Sequence, residues 1–112
     1  VSPAQRRLFW SRVADIAAQV PLVINGEPHM ADKESWRWVL CAGFSGEQRI
    51  ADGINGEKVV LGLRLRDLMR DATDEAAKRI AADLITMVEA FGASHGVKWS
   101  LDSDGNDWRA VA

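Results

Sequence analysis

Three kinds of side chain in this sequence are of types that do chemistry: arginines, tryptophans and a closing run of aspartates. Ten of the fourteen basic residues are arginine, whose planar guanidinium grips phosphate and carboxylate in a two-pronged fashion. Arg6, Arg7, Arg12, Arg37, Lys58, Arg64 and Arg66 fall at positions that read as solvent-facing. Such residues usually do no more than solvate a surface, but if they converge they bind a polyanion. Lys98 is a further phosphate-contact candidate near the far end of the chain. Five Trp and no Tyr supply large flat rings, suited either to a core or to stacking on bases.

The other chemistry is sparse. His29 and His95 have no companion at metal-ligand spacing and read as surface or capping residues. Cys41 sits on the apolar side of a helix pattern and reads as a buried, inert thiol. Asp102-Ser103-Asp104-Gly105-Asn106-Asp107 has the acidic look of a calcium loop, but its Gly is out of register and no closing Glu follows. A loose tail is the reading kept there, with a magnesium nuclease built on Asp102, Asp104 and Asp107 as the least favoured hypothesis. No catalytic constellation emerges, so the expectation is a non-enzyme without cofactor or metal.

The elements that must position these residues are legible from caps and periodicity. Ser2-Pro3-Ala4-Gln5 is a helix start with a capping box, and Phe9, Val13, Ile16 and Val20 form one buried stripe up to Pro21. Arg6, Arg7 and Arg12 fall mostly off that stripe, and Trp10 beside it. Leu22 to Ile24 and the return through Pro28 flank Asn25-Gly26 as a short edge hairpin. Asp32 caps a second helix through about Ala42, on which Trp36 and Trp38 lie about 200° apart. Both cannot face inward, so one is expected at a surface or interface.

A second hairpin is predicted around Asn55-Gly56, from Arg49 to Ile54 and from Glu57 to Arg66. Its return strand places Val59, Leu61, Leu63 and Leu65 on one face and Lys58, Val60, Gly62, Arg64 and Arg66 on the other. Thr73 opens the longest helix, with Ile80, Leu84, Met87, Val88 and Phe91 as its buried stripe and Gly96 as its stop. Trp99 then reads as a lid on the core, or else as a partner-facing ring. The expected architecture is α+β: about three helices, the last one long, packed on a small antiparallel sheet of hairpins. Residues 1–100 form one domain, and 101–112 a loose C-terminal tail.

Bulk properties set the frame. A chain of 112 residues with 47% hydrophobic and 27% charged residues suits one globular unit able to bury its own core. Its formal charge of -2 does not point to nucleic acid, so any basic face must be local. One cysteine excludes an internal disulfide and fits a reducing compartment. No apolar run approaches the roughly 18 residues of a membrane span, and a bacterial cytoplasm is the expected address. The chain begins at Val1 without Met, as expected of a fragment lacking an N-terminal part.

Three ordered stretches resemble the NinB (Orf) family of phage recombination proteins. In S-P-A-Q-R-R-L-F-W, Ser2, Gln5, Arg7 and Trp10 match the family's opening helix; in D-K-E-S-W-R-W-V-L, Glu34, Ser35 and Trp36 match its central E-S-W. In A-F-G-A-S-H-G-V-K-W-S, Ala90, Phe91, Gly92, Gly96, Val97, Lys98, Trp99 and Ser100 match the end of its long helix and the segment after it. The resemblance implies a homodimeric recombination mediator that binds single-stranded DNA, meets the host single-strand-binding protein and helps load a recombinase. It implies no nucleotide or metal. The chain departs from the family in lacking strand-forming residues before Ser2, and in a short tail with three Asp and one Arg in place of a longer basic helix. DNA affinity is then expected to be weaker, or to rest on Arg6, Arg7, Arg37, Arg64 and Arg66 alone. The alternative is a protein-interaction module in which Trp36 or Trp38, Trp99 and the apolar hairpin make a dimer or partner surface and DNA contact is incidental.

Overall fold

The computed structural model describes residues 1–101. Four helices and two hairpins follow one another as α1 (Pro3–Gln19), β1 (Leu22–Ile24), β2 (Glu27–His29), α2 (Lys33–Ser45), β3 (Arg49–Asp52), β4 (Lys58–Leu61), α3 (Leu65–Leu68) and α4 (Asp74–Ser94). This is the expected α+β class, with a fourth, one-turn helix that periodicity did not announce.

Local chemistry sets the helix ends. The Ser2 hydroxyl accepts from the Gln5 N–H at 3.1 Å while the Gln5 amide accepts from the Ser2 N–H at 3.1 Å, so two amides that α1 cannot satisfy internally are capped reciprocally. Asp32 caps α2 through the Ser35 N–H at 2.8 Å, and Thr73 caps α4 through the Ala76 N–H at 3.2 Å. The second helix runs one turn beyond its expected end, to Gly46 in the left-handed region at φ 71°, where an L side chain would be strained.

α1 packs against α4 and α2, and α2 also meets α4 and α3. Phe9, Val13, Ile16, Trp36, Leu40, Cys41, Leu84 and Val88 form the centre of this helical core. Of the long helix's predicted stripe, Leu84 and Val88 are fully buried and Ile80, Met87 and Phe91 half-buried. Ala77, Ala81 and Ile85 complete the inward face; the small alanines let the helix approach its neighbours.

The hairpins lie outside that core. Among the described residues β1 pairs only with β2 (Leu22 opposite His29, Ile24 opposite Glu27), and β3 only with β4 (Arg49 opposite Leu61, Asp52 opposite Lys58). The first turn has Asn25 and Gly26 both at positive φ, 52° and 82°, the two-residue geometry that matches strand twist. The second loop is longer: the Gly53 N–H bonds the Glu57 carbonyl, and only Gly56 has positive φ. The predicted return strand to Arg66 is corrected. Pairing stops at Leu61, and the chain then turns so that Leu63 and Leu65 enter the core while Val59 and Leu61 stay exposed.

Candidate functional site

The predicted cations take different roles. Arg6 and Arg7 are exposed on the first turns of α1, Arg66 is exposed on α3, and Lys98 is exposed beyond α4. Arg12 does not keep its expected place off the buried stripe. It is 2% exposed; its Nε donates to Glu89 at 2.9 Å and another guanidinium nitrogen donates to the Leu101 carbonyl. Its guanidinium also lies 4.8 Å from the centre of the Trp99 ring, so charge, hydrogen bonds and π-face are all used internally.

Arg37 is also largely withdrawn. It pairs with Glu34 at 2.7 Å, with its side chain only 12% exposed, and lies 5.4 Å from the Trp10 ring centre, on which Lys33 also sits. Lys58 pairs with Asp52 across β3 and β4. Arg64 precedes α3, so Lys58, Arg64 and Arg66 do not share the single strand face that alternation suggested.

The tryptophans divide as helical geometry requires. Trp36 is 3% exposed and packs at 5.5 Å on the Phe91 ring, with its indole N–H buried without an acceptor among the described residues. Its expected role on a partner surface is thereby corrected. Trp38 is the outward ring, 44% exposed, and lies so close to Gly62 that a Cβ there would fall 2.2 Å from the indole. Trp99 is half-buried over Gly92, where a Cβ would likewise fall 2.2 Å from its ring. The lid reading of Trp99 therefore holds, and a glycine within α4 makes room for it.

Between α2 and β4 runs an apolar groove of about 450 Å³, lined by Trp38, Val39 and Ala42 on one wall and Val60, Leu61 and Leu63 on the other, with Glu47 and Gln48 among its polar members. Val23, Ile24, Met30, Ile50, Ile54 and Val59 are further exposed hydrophobics on the two hairpins. Exposed apolar surface, where it is contiguous, is characteristic of interaction sites. The angular separation of Trp36 and Trp38 was its one sequence signal; the wall from β4 was hidden by reading that strand as half-buried.

Sequence reasoning also missed Asp67. Its carboxylate, 8% exposed, lies 3.6 Å from Arg49, 3.8 Å from Arg64 and 3.5 Å from Arg70. It also accepts the Arg64 backbone N–H at 2.9 Å. That N–H holds the acid below the ordinary carboxylate range; burial opposes the shift, and the three guanidiniums add to it. Arg49 and Arg70 were not among the expected cations.

Cys41 is wholly buried, and desolvation pushes its thiol up to about 11, a poor nucleophile. His29 is exposed; His95 caps the end of α4, its ring 4.3 Å from that of Phe91. Among the described residues, no cluster of His, Cys, Asp or Glu is arranged to hold a metal, and no helix is long and apolar enough to cross a membrane. The aspartates at 102, 104 and 107, with the tail expected there, lie outside the described residues.

Known proteins share this framework. Residues 2–100 match the family model described as NinB protein. Protein ninB of Salmonella phage P22 is 28% identical over 96 residues, which cover 86% of this chain and 58% of that protein. Protein ninB of Escherichia phage lambda is 26% identical over 107 residues, 95% of this chain and 65% of that one. A solved NinB structure superposes with a TM-score of 0.63 at 28% identity, covering 87% of this chain and 64% of its own. The chain thus spans roughly three-fifths of the length of these relatives.

Proposed function

The chain belongs to the NinB family, and from that membership we propose that it is a non-catalytic phage recombination mediator. In this reading it binds single-stranded DNA in the cytoplasm of the bacterial host. It acts there with the host single-strand-binding protein to help load a recombinase, as a homodimer. The observation that carries the reading is the family match over residues 2–100. The exposed Arg6, Arg66 and Lys98 support it as cations presented to solvent, the type of group that meets a phosphate backbone without reading sequence.

Fluorescence anisotropy with an oligo-dT strand tests it. The expected result is affinity that falls steeply with salt and changes little with base sequence. Affinity that ignores salt, or no binding at low salt, rejects the reading for this chain.

The groove beside Trp38 favours a second reading, a dimeric protein-interaction module with little DNA contact. Trp38→Ala then weakens self-association in sedimentation velocity, while Arg66→Glu leaves it intact. If instead Arg66→Glu lowers oligo-dT affinity and Trp38→Ala does not, the first reading stands over the second.

A further inference from the structure

Arg49 at the start of β3, Arg64 ahead of α3 and Arg70 after it are brought together by one acid, Asp67, which is nearly buried while they are not. Their side chains are 45%, 44% and 69% exposed, against 8% for Asp67. Each guanidinium carries five N–H donors, and the carboxylate uses few of them: its distances to the three arginines are 3.5 to 3.8 Å, longer than a tight charged hydrogen bond of about 2.8 Å. The pairs with Asp67 therefore orient the forks without consuming them.

Arg49 and Arg64 approach the same carboxylate oxygen, Oδ2. Their nitrogens can then be no farther apart than the sum of those two contacts. A single phosphate group accepting a hydrogen bond of about 2.9 Å on each side spans such a gap. Arg70 reaches the other oxygen, Oδ1, of the same carboxylate. Glu47 and Asp71 line an adjoining hollow with Asp67 and Arg70. Asp67, Glu47 and Asp71 match the three guanidiniums in number, so the cluster carries little net charge, which suits one phosphate group better than a broad polyanion.

We infer that Arg49, Arg64 and Arg70, spaced by Asp67, form a seat for a single phosphate group. The identity of that phosphate as a backbone phosphodiester rests on the single-stranded DNA reading; the seat itself does not. Titration of the full chain, followed through the arginine Nε–Hε resonances, tests both, with inorganic phosphate in one arm and oligo-dT in the other.

Shifts at Arg49, Arg64 and Arg70 in both arms are expected. In the paired variant Arg49→Gln/Arg70→Gln the remaining shift at Arg64 should weaken, and the slope of log affinity for oligo-dT against log salt should become shallower by about 0.7, one single-strand phosphate contact. Shifts with inorganic phosphate alone support the seat and assign it to a free phosphate, removing it from the DNA path. No shift at these three arginines in either arm overturns the inference, even if oligo-dT binds elsewhere.

Discussion

The Gln19 side chain holds the backbone of Lys98 by both its polar groups: its amide oxygen accepts the Lys98 N–H at 2.9 Å and its NH₂ donates to the Lys98 carbonyl at 2.8 Å. One turn earlier, Asp15 accepts the Ser100 N–H at 2.8 Å and the Ser100 hydroxyl at 3.0 Å. One turn earlier still, Ser11 meets that hydroxyl at 3.3 Å. Spaced by four, these residues line one helix face, and together with Arg12 they serve the segment after α4 as a neighbouring strand would.

Gln19→Ala should cost about 1–2 kcal/mol in urea unfolding, since two solvent-accessible hydrogen bonds each contribute on the order of 1 kcal/mol. Gln19→Glu should lose nearly as much at neutral pH. A carboxylate can accept the Lys98 N–H but faces the Lys98 carbonyl with a second acceptor. If the Glu variant matches the parent, the two-sided grip is not what holds the segment.

Gly92→Ala sets helix propensity against packing. Alanine gains up to about 1 kcal/mol in a helix interior, but its Cβ would fall 2.2 Å from Trp99 and must displace the lid, an overpacking cost of about 1–3 kcal/mol. The expected outcome is a lower Tm and a red-shifted tryptophan emission. Adding Trp99→Leu should relieve the clash, making the pair less destabilised than the sum of the two single changes.

Arg12→Met keeps the apolar stem and removes the charge. Breaking a buried pair costs about 3–5 kcal/mol when the partner is stranded, but Glu89 is 33% exposed and can be rehydrated, so about 2 kcal/mol is expected in denaturant unfolding. The Leu101 carbonyl loses its donor in the same step.

These interactions show where sequence reading reaches and where it stops. The caps at Ser2, Asp32 and Thr73 each join residues three apart, so a local pattern announces them. Arg12 finds Glu89 and Leu101 across 77 and 89 residues, and its burial follows from helix packing that no local pattern encodes. Between Val59 and Leu65 the alternation of aliphatics continues across the end of β4, which made two segments with opposite burial look like one strand. Trp38 was legible as one of two candidate rings, whereas the cluster at Asp67 joins residues that carry no shared periodicity.

Asp67 also predicts an acid response. Its folded pKa is lowered from the ordinary 3.8, so the stability it contributes is complete above that value and is lost as pH falls through the folded one. Asp32, lowered by its hydrogen bonds from Ser35, acts in the same direction. Thermal melts from pH 6 down to pH 2 should therefore show Asp67→Asn with a lower Tm than the parent at pH 6 and the gap closing below about pH 4. A gap that stays constant across that range would mean the charge is not what Asp67 contributes.

Among the described residues the strands of the two hairpins pair only within each hairpin, over three and four residue pairs, and most of their residues are exposed. Strands so lightly anchored open without the helices unfolding. In native-state hydrogen exchange, amides of β1 to β4 should lose protection in a shallow local event, while those in the middle of α1 and α4 wait for global unfolding. A molecule seated against Trp38 and Leu61 would then reveal itself by slowed exchange in β4, and a large gain in that slowing would measure how far docking and ordering of the hairpin are a single event.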